Sequence, residues 1–414
     1  MITALKEIPF RLRLRASSSE KVLYREEPSS LVAELIAIVV ILLMAIGTVF
    51  VFSASANISY EFELQRFYDY PGLRQIMFFP LACLIMYLVS RANYRKLSFD
   101  KGWFENPVSY LLIISMILLA IVLLQRFYPV FPRFVPRVNQ HYRWIKIPLG
   151  SFTISFQPSE LAKWSIIFFL AGICTKSGDD IRLFWKRFIP ICLVVGTVIA
   201  LIVLEDFGTA AFIGLLSFFM LIIAGAKWWH ILTPLPFSIA GFLYILISSP
   251  GRIVRIKAFL NPEEWADSVG YQANQSLIAI GSGGLWGKGL GLGICKYGHL
   301  PEDTTDFIFA IIGEELGFAG NAAVILLFIL FIVFGVIVIV RCQDRLGQLL
   351  ACGIVLAITI QAALNIGVVT VVLPTKGIPL PFVSAGGTSM LLSAAAVGVL
   401  LNIAKQSSSQ NTLS

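Results

Sequence analysis

The chain has few charged residues and few of the residue types that bind metals or form disulfides. Charged residues make up 14% of its 414 residues, and it contains six cysteines and three histidines. His141, His230 and His299 lack the spacing of a metal site, and the sequence has no P-loop and no soluble catalytic domain. Only Cys295 is expected on the outer side of a membrane, so a disulfide framework is excluded.

Long apolar runs dominate the sequence, which is 57% hydrophobic with a mean hydropathy of +0.83. An apolar run of roughly 17 to 23 residues crosses a bilayer as a helix, because a helix satisfies its own backbone hydrogen bonds. We expect such helices at 31–52, 75–90, 107–124, 161–174, 188–204, 209–225, 228–248, 318–340, 347–369 and 388–403. The first run is too long for a cleavable signal peptide. The sequence therefore predicts an all-α polytopic membrane protein with about ten transmembrane helices.

The distribution of basic residues predicts the orientation. With both termini cytoplasmic, the inner segments carry about 18 Lys and Arg in roughly 75 residues, against about 13 in roughly 135 outside. The net charge of +8 then reflects this bias and a basic N-terminal arm at 1–30, and does not indicate nucleic-acid binding. A transmembrane domain at 31–404 contains a large extracytoplasmic loop at 249–306, between spans seven and eight. Residues 405–414 are predicted to form a disordered cytoplasmic tail.

The segment 261–320 is polar, acidic and rich in glycine inside this apolar chain, which indicates chemistry at the outer face. Asp306 begins a hydrophobic helix directly after a polar loop that contains Glu302. It is either the N-cap of that helix or a general base whose pKa is raised by partial burial. Glu314 and Glu315 are expected to be structural or gating groups. The glycine-rich run at 278–293 is a weak candidate for phosphate binding, or equally a loop over a lipid headgroup.

Other charged residues lie at membrane depth or at its edges. Glu160 and Lys163 are three residues apart on one helical face, and we favour the lining of a polar cavity over a purely structural salt bridge. Arg74 either snorkels to headgroups or clamps a phosphate. Asp206 is favoured as a turn residue, and Arg143 as an interfacial anchor. The proline- and glycine-rich stretch at 373–389 predicts a re-entrant segment that lines the cavity.

Five motifs in order resemble the SEDS family of membrane glycosyltransferases: FQPSELAK, NPEE, GYQANQSLIAIGSGGLWGKGLGLG, LPEDTTDFIFAIIGEELG and LPTKGIPLPFVSAGG. The resemblance covers about residues 52–403. The IIGEELG sequence and Lys376 favour the cell-division branch of the family over the elongation branch. Two departures are present, since Thr305 replaces the usual histidine before Asp306, and LED replaces QPD before Phe207.

The resemblance implies a peptidoglycan glycosyltransferase that polymerises lipid II at the outer face of the bacterial cytoplasmic (inner) membrane. Asp306 matches the essential aspartate of the family. The resemblance implies substrate binding by Arg74, Glu160, Lys163, Lys376, Glu302, Gln272 and Gln275. It also implies a divalent metal ion, Mg²⁺ or Mn²⁺, whose protein ligands are unknown, and no organic cofactor.

The implied partners are lipid II, a class B penicillin-binding protein acting as transpeptidase, and proteins of the divisome or elongasome. Two alternatives stay open from the residues alone. A lipid II flippase fits ten spans and a polar cavity, although the sequence shows no evident inverted repeat and its acidic motif lies on one side. A non-catalytic scaffold, in which Asp306 is only a cap, is the weaker alternative.

Overall fold

The computed structural model describes residues 28–55, 70–129, 131–138, 141–149, 152–261, 264–265, 268–297 and 300–411. Within these ranges the chain is predominantly helical, which confirms the predicted all-α class. The helices are α1 Pro28–Ser55, α2 Pro71–Arg91, α3 Pro107–Phe127, α4 Pro158–Ser177, α5 Ile189–Val203, α6 Phe207–Ile223, α7 Trp228–Leu232, α8 Leu235–Ile247, α9 Pro250–Leu260, α10 Tyr271–Gly283, α11 Ile308–Arg341, α12 Arg345–Val369 and α13 Gly387–Asn411. Most of the predicted N-terminal arm lies outside the described residues.

Eight helical segments in the described part of the chain are long and apolar enough to cross a membrane. They are Leu31–Ser55, Pro71–Arg91, Pro107–Phe127, Phe184–Val203, Trp228–Ile247, Ile308–Arg341, Arg345–Val369 and Gly387–Ser407. The two other predicted spans correspond to α6, which has only 17 residues, and to α4, which carries charged side chains. The chain is therefore a multi-pass membrane protein by composition, and the count of ten crossings and the orientation stay predictions.

Helix α4 occupies the centre of the bundle, where it contacts α3, α6 and α12. Around it, α1, α2 and α13 pack closely because glycines remove side-chain bulk at the crossing points. A Cβ on Gly72 of α2 would lie 2.5 Å from Ser55 Oγ of α1, and one on Gly398 of α13 would lie 2.7 Å from the Met86 carbonyl oxygen of α2. These small residues allow the backbones to approach, as is common between membrane helices.

Two regions differ in secondary structure from the expectation. A hairpin of β1 Ile145–Leu149 and β2 Phe152–Phe156, with Ile147 opposite Ile154, lies in the loop between α3 and α4. Its polar and apolar residues alternate with the period of a strand, a short signal that the long apolar runs obscure. The predicted disordered tail is helical as far as Asn411, since its Lys, Gln and Ser residues contain no helix breaker and Gln406 Nε2 donates to Asn402 Oδ1 over 2.9 Å. Residues 412–414 lie outside the described residues.

Helix α11 is divided at Gly317, whose backbone angles (φ 68°, ψ −162°) are not helical. The half-helix 308–316 is almost wholly buried, and the remaining part, 318–341, is the apolar membrane segment. Residues 284–297, here called the glycine loop, lie directly against the kink. Phe318 N donates to the Gly284 carbonyl and Lys288 N to the Glu314 carbonyl. A Cβ on Gly287 would lie 2.1 Å from the Glu315 carbonyl oxygen, so this contact requires glycine.

Two fully buried carboxylates hold the glycine loop against α11. Glu315 accepts hydrogen bonds from Lys296 Nζ at 2.8 Å, from Ser53 Oγ of α1 at 2.8 Å and from Gly291 N at 2.9 Å. Glu314 accepts from Lys288 Nζ at 2.7 Å and from the backbone amides of 294 and 295. Within the candidate phosphate-binding run 278–293, the Gly291 amide therefore donates to a carboxylate of the protein itself, and the amides of Lys288 and Gly289 donate to backbone carbonyls of α11.

We predict that Glu315→Gln destabilises the folded protein, because it leaves the buried Lys296 ammonium without a counter-charge. Breaking a buried ion pair on one side costs about 3–5 kcal/mol. Thermal unfolding of the purified protein in detergent should show a clearly lower midpoint for Glu315→Gln. The double variant Lys296→Met/Glu315→Gln removes both charges and should recover a large part of the loss. Equal instability of the single and double variants would contradict the ion-pair explanation.

Candidate functional site

Asp306 lies immediately before the half-helix of α11 and does not cap it. The N-cap position is Phe307, and no side chain makes the capping hydrogen bond. The Asp306 backbone carbonyl accepts from Asn365 Nδ2 of α12 over 2.7 Å, so the main chain is held while the side chain is left for another role. This geometry argues against the interpretation of Asp306 as a helix cap.

The predicted re-entrant stretch 373–389 lies beside Asp306; its last three residues belong to α13, and residues 373–386 are called the re-entrant segment. It is irregular and mostly buried in protein, as a non-helical segment at membrane depth must be. Asn365 Nδ2 also donates to the Ile378 carbonyl, and Ser384 Oγ donates to the Thr305 carbonyl over 2.6 Å. A Cβ on Gly377 would lie 2.8 Å from Asp306 Oδ2. The segment therefore packs its backbone against the candidate base, and the absence of a side chain at 377 leaves room for the carboxylate.

The surroundings of Asp306 make it a stronger base than a free carboxylate. Burial raises its pKa to about 7, and the negative charge of Glu302 adds to this shift. Arg143 acts in the opposite direction, and Asp206 again raises the value. A carboxylate with this pKa is partly ionised near neutral pH and binds a proton readily, which suits general-base catalysis.

Three cationic side chains gather around the turn between α5 and α6, and one of them, Arg143, acts electrostatically on Asp306. Arg252 Cζ lies 4.7 Å and Lys376 Nζ 5.3 Å from the ring centroid of Phe207, and Arg143 Nε donates to the Glu205 carbonyl over 2.7 Å. Among the described residues, none of the three forms an ion pair with a carboxylate. We call Arg143, Arg252 and Lys376 the cation group.

Burial and mutual repulsion disfavour the charged forms of Arg252 and Lys376. Burial lowers the pKa of Arg252, and the nearby charge of Arg143 lowers it further. Burial also lowers the pKa of Lys376, while the neighbouring Asp206 raises it. Positive side chains that are held close together away from water repel one another, and a multiply charged anion stabilises such a group most strongly.

Two residues on the α5–α6 turn organise these cations. Asp206 caps α6 by accepting from Thr209 N at 3.1 Å and also accepts from Gln157 Nε2 at 3.2 Å, in keeping with its interpretation as a turn residue. Glu205 is buried and accepts from Arg126 Nη1 and Tyr142 N. Burial alone would raise the pKa of Glu205, but the nearby His141 side chain and hydrogen bonds from Arg126 and the Tyr142 amide hold it at about 2.

The environment of Arg143 differs from the one expected for an interfacial anchor. The structure ties its guanidinium to the Glu205 carbonyl, so it faces protein and is not only an interfacial anchor. Glu205 and Arg252 were not identified as site residues from the sequence. The motif departure LED before Phe207 and the basic residues of α9 were the available signals, but only the packing of α9 against Phe207 brings them together.

Glu160 and Lys163 form the predicted i, i+3 pair, with 2.8 Å between Lys163 Nζ and Glu160 Oε2. Lys163 is 1% exposed and also donates to Gln361 Oε1, and Ser389 Oγ donates to Glu160. Gln361 Nε2 in turn donates to the Pro379 carbonyl. The pair is enclosed by protein and connects α4 to the re-entrant segment, to α12 and to α13.

The other predicted site residues are more dispersed. Arg74 lies in the first turns of α2, where the described residues provide no hydrogen bond or ion pair to its side chain. Gln272 and Gln275 are half-buried on α10, and no described hydrogen bond joins them to Asp306. Glu302 is close to Asp306 and accepts from Thr305 Oγ1 over 3.0 Å. The structure thus brings together Asp306, Glu302 and Lys376, and leaves Arg74, Gln272 and Gln275 outside the described contacts of the site.

Within the described ranges, no group of three or more His, Cys, Asp or Glu side chains is arranged to hold a metal ion. The residues therefore do not fit a preformed divalent-metal site. A Mg²⁺ or Mn²⁺ ion would depend on ligands from a bound diphosphate, and the metal stays a prediction.

Comparisons with known proteins identify the family. The family model described as “Cell cycle protein”, which covers FtsW, RodA and SpoVE, matches residues 33–409. Stage V sporulation protein E of Bacillus subtilis is 35% identical over 375 residues, which is 90% of this chain and 97% of that protein. A probable peptidoglycan glycosyltransferase FtsW of Coxiella burnetii is 36% identical over 377 residues, which is 89% of this chain and 95% of the relative.

Solved structures share the fold. A chain of a complex described as coordinating “polymerization and crosslinking by a peptidoglycan synthase complex” matches with a TM-score of 0.67 at 23% identity, over 90% of this chain and 97% of that one. The Rod shape determining protein RodA of Thermus thermophilus matches with a TM-score of 0.59 at 23% identity, over 92% and 98%. The match of the family model over most of the sequence confirms the predicted membership: this chain belongs to the FtsW/RodA/SpoVE (SEDS) family of cell cycle proteins.

Proposed function

We propose that this protein is a peptidoglycan glycosyltransferase that polymerises lipid II, with Asp306 as general base. The observation that carries the proposal is a carboxylate whose pKa is raised to about 7, which is electrostatically coupled to Arg143 and packs against Gly377, the neighbour of Lys376. A base next to an anion-binding group is what a glycosyl transfer with a diphosphate leaving group needs. The names of the relatives in Coxiella burnetii and Trichlorobacter lovleyi support the same activity.

In the proposed reaction, Asp306 takes the proton from the 4-hydroxyl of the acceptor N-acetylglucosamine. That oxygen attacks the anomeric carbon of the donor N-acetylmuramic acid and forms the new glycosidic bond. The bond to the donor phosphate breaks with inversion, and its electron pair leaves on undecaprenyl diphosphate. The half-helix of α11 and the re-entrant segment position the base for this step, because both are tied to Asn365.

The cation group is the proposed binding site of the diphosphate. Negative charge grows on the leaving oxygen in the transition state, and preorganised cations in a water-poor site stabilise that charge without reorganisation. Arg143, Arg252 and Lys376 meet this requirement better than Lys163, whose ammonium is enclosed by Glu160 and Gln361. We therefore assign Glu160 and Lys163 the support of the re-entrant segment.

The partner and the biological branch are part of the proposal. The fold match to a chain of a complex described by polymerization and crosslinking supports a class B penicillin-binding protein as transpeptidase partner. Relatives named FtsW support a role in cell division over elongation. The active site then faces outward from the bacterial cytoplasmic membrane, where lipid II is presented.

We predict that Asp306→Asn abolishes polymerisation, because the amide keeps the shape of the carboxylate but cannot accept the hydroxyl proton. The measurement is the formation of long glycan products from labelled lipid II, with and without the co-purified transpeptidase. Unfolding midpoints of the variant and the wild type serve as the control for folding. Normal polymer from Asp306→Asn would remove Asp306 from the role of base, and movement of lipid II across liposomes without polymer would favour a flippase.

The polymerisation rate should rise with pH through about 7 and then level off, because only the deprotonated form of Asp306 acts as base. Glu302→Gln removes a negative charge that raises the pKa of Asp306, so the rising limb should move to lower pH. The matched control is Glu264→Gln, which changes an exposed carboxylate of the same outer loop and should leave the limb in place. An unshifted limb in Glu302→Gln would contradict the assignment of the limb to Asp306.

Neutralising the cation group should slow the chemical step. Removal of one preorganised donor to a developing negative charge costs about 10²-fold in kcat. We expect Arg252→Gln and Lys376→Gln each to lose polymerisation on that scale in single-turnover assays at saturating lipid II. Lys257→Gln, on the exposed side of the same helix as Arg252, is the matched control and should retain activity. An unchanged rate in both site variants would place the diphosphate elsewhere.

A further inference from the structure

We propose that the glycine loop, residues 284–297, is inserted into the membrane interface on the side of Asp306 and is a lipid-binding surface of this protein. The loop connects α10 to the acidic segment before Asp306 and lies against the kink of α11. The proposal concerns how this segment is anchored, and it does not depend on the polymerase activity.

The exposed surface of the glycine loop is apolar. Five of its large side chains are more than half exposed in the isolated chain: Leu285 at 68%, Trp286 at 83%, Leu290 at 59%, Leu292 at 65% and Ile294 at 57%. Leu277 and Ile278 of α10 are exposed beside them. A contiguous apolar patch of this kind on a membrane protein indicates contact with lipid or with a partner. A tryptophan with aliphatic neighbours is typical of the membrane–water interface.

The polar groups of the loop are turned inward, which is the condition for contact with lipid. Lys296 and Lys288 form ion pairs with Glu315 and Glu314, and Lys296 is almost wholly buried. The amides of 288 and 289 donate to carbonyls of α11, and those of 291, 294 and 295 donate to the two carboxylates. Irregular backbone is tolerated at membrane depth only when its hydrogen bonds are satisfied within the protein.

The hydrogen bonds between the glycine loop and α11 place the loop at the depth of the membrane interface. Phe318 N and Ala319 N, at the start of the membrane segment, donate to the carbonyls of Gly284 and Leu285. The segment from 318 to 341 rises about 36 Å at 1.5 Å per residue, somewhat more than the roughly 30 Å of the hydrocarbon core. The kink therefore lies near the interface when Arg341 lies at the opposite one.

The lipid-facing surface of α11 continues into the loop. Phe318 is 68% exposed and Leu326 is 55% exposed on the membrane segment, directly beyond the contacts with 284 and 285. A surface that starts in lipid on α11 and stays apolar across the loop favours lipid as the occupant over a soluble domain of a partner. Charge complementarity to a protein partner is absent from the exposed side chains of 285, 286, 290, 292 and 294, all of which are apolar.

The test measures the quenching of Trp286 in the full-length protein, reconstituted in bilayers of phosphatidylglycerol and phosphatidylcholine. The contribution of Trp286 is the fluorescence difference between wild type and Trp286→Phe. One arm replaces the phosphatidylcholine with a form brominated near the headgroup end of its acyl chains, and the other adds aqueous iodide. The matched control is Trp265→Phe, since Trp265 lies in the same outer loop but outside the glycine loop.

We expect bromolipid to quench the Trp286 contribution several-fold more strongly than iodide, and more strongly than it quenches Trp265. Leu290→Asn/Leu292→Asn should lower the bromolipid quenching of Trp286 by more than half, without changing that of Trp265. Quenching of Trp286 by iodide alone, or by neither agent, would overturn the proposal. Iodide quenching that disappears only when a class B penicillin-binding protein is added would assign the surface to a protein partner instead.

Discussion

The structure depends on the burial of two adjacent carboxylates, Glu314 and Glu315, in the half-helix of α11. Neither is exposed at all, so each must be paired or the fold would carry an uncompensated charge. The only groups that satisfy them among the described residues come from the glycine loop and from Ser53. This requirement draws an irregular loop, a kinked helix and the end of α1 into one unit. The chain continues from the glycine loop of this unit to Asp306.

The same principle distinguishes the structural charges from those available for function. Lys163, Lys288 and Lys296 each have a carboxylate within 2.8 Å, and their charges are used within the protein. Arg252 and Lys376 lie over the ring of Phe207, and Arg143 donates to the nearby Glu205 carbonyl; none of the three has such a partner among the described residues. Holding like charges together in a partly buried place costs free energy, and a bound anion, as proposed for the diphosphate, would offset that cost. For Asp306, desolvation favours the neutral, protonated carboxyl group, so its carboxylate accepts a proton readily.

The re-entrant segment connects the paired Lys163 to the candidate site around Asp306. Its backbone is held on one side by Gln361, which is bonded to Lys163, and on the other by Asn365, which is bonded to the main chain of Asp306. Lys376 and Gly377 directly precede the two anchored carbonyls, those of Ile378 and Pro379, and the missing side chain at Gly377 leaves room for the Asp306 carboxylate. Gln361 and Asn365, two polar side chains of α12, thus position the backbone beside Asp306. Substitution of either residue is expected to change the geometry of the site.

The sequence by itself determined the class of the protein, its apolar helices and its family. Run length suffices for the class and the helices, because membrane helices satisfy their hydrogen bonds locally. The family was indicated by the resemblance of five ordered motifs and not by the hydropathy pattern. Spacing also placed the Glu160–Lys163 pair, since residues three apart share a helical face. Only the tertiary structure decided which charges are paired. Arg252, Glu205 and Asp306 are separated by dozens of residues, and no local pattern encodes their approach. Likewise, the glycine run has the composition of a phosphate loop, and only the packing against α11 shows that its amides at 288, 289 and 291 donate to carbonyls and a carboxylate of α11.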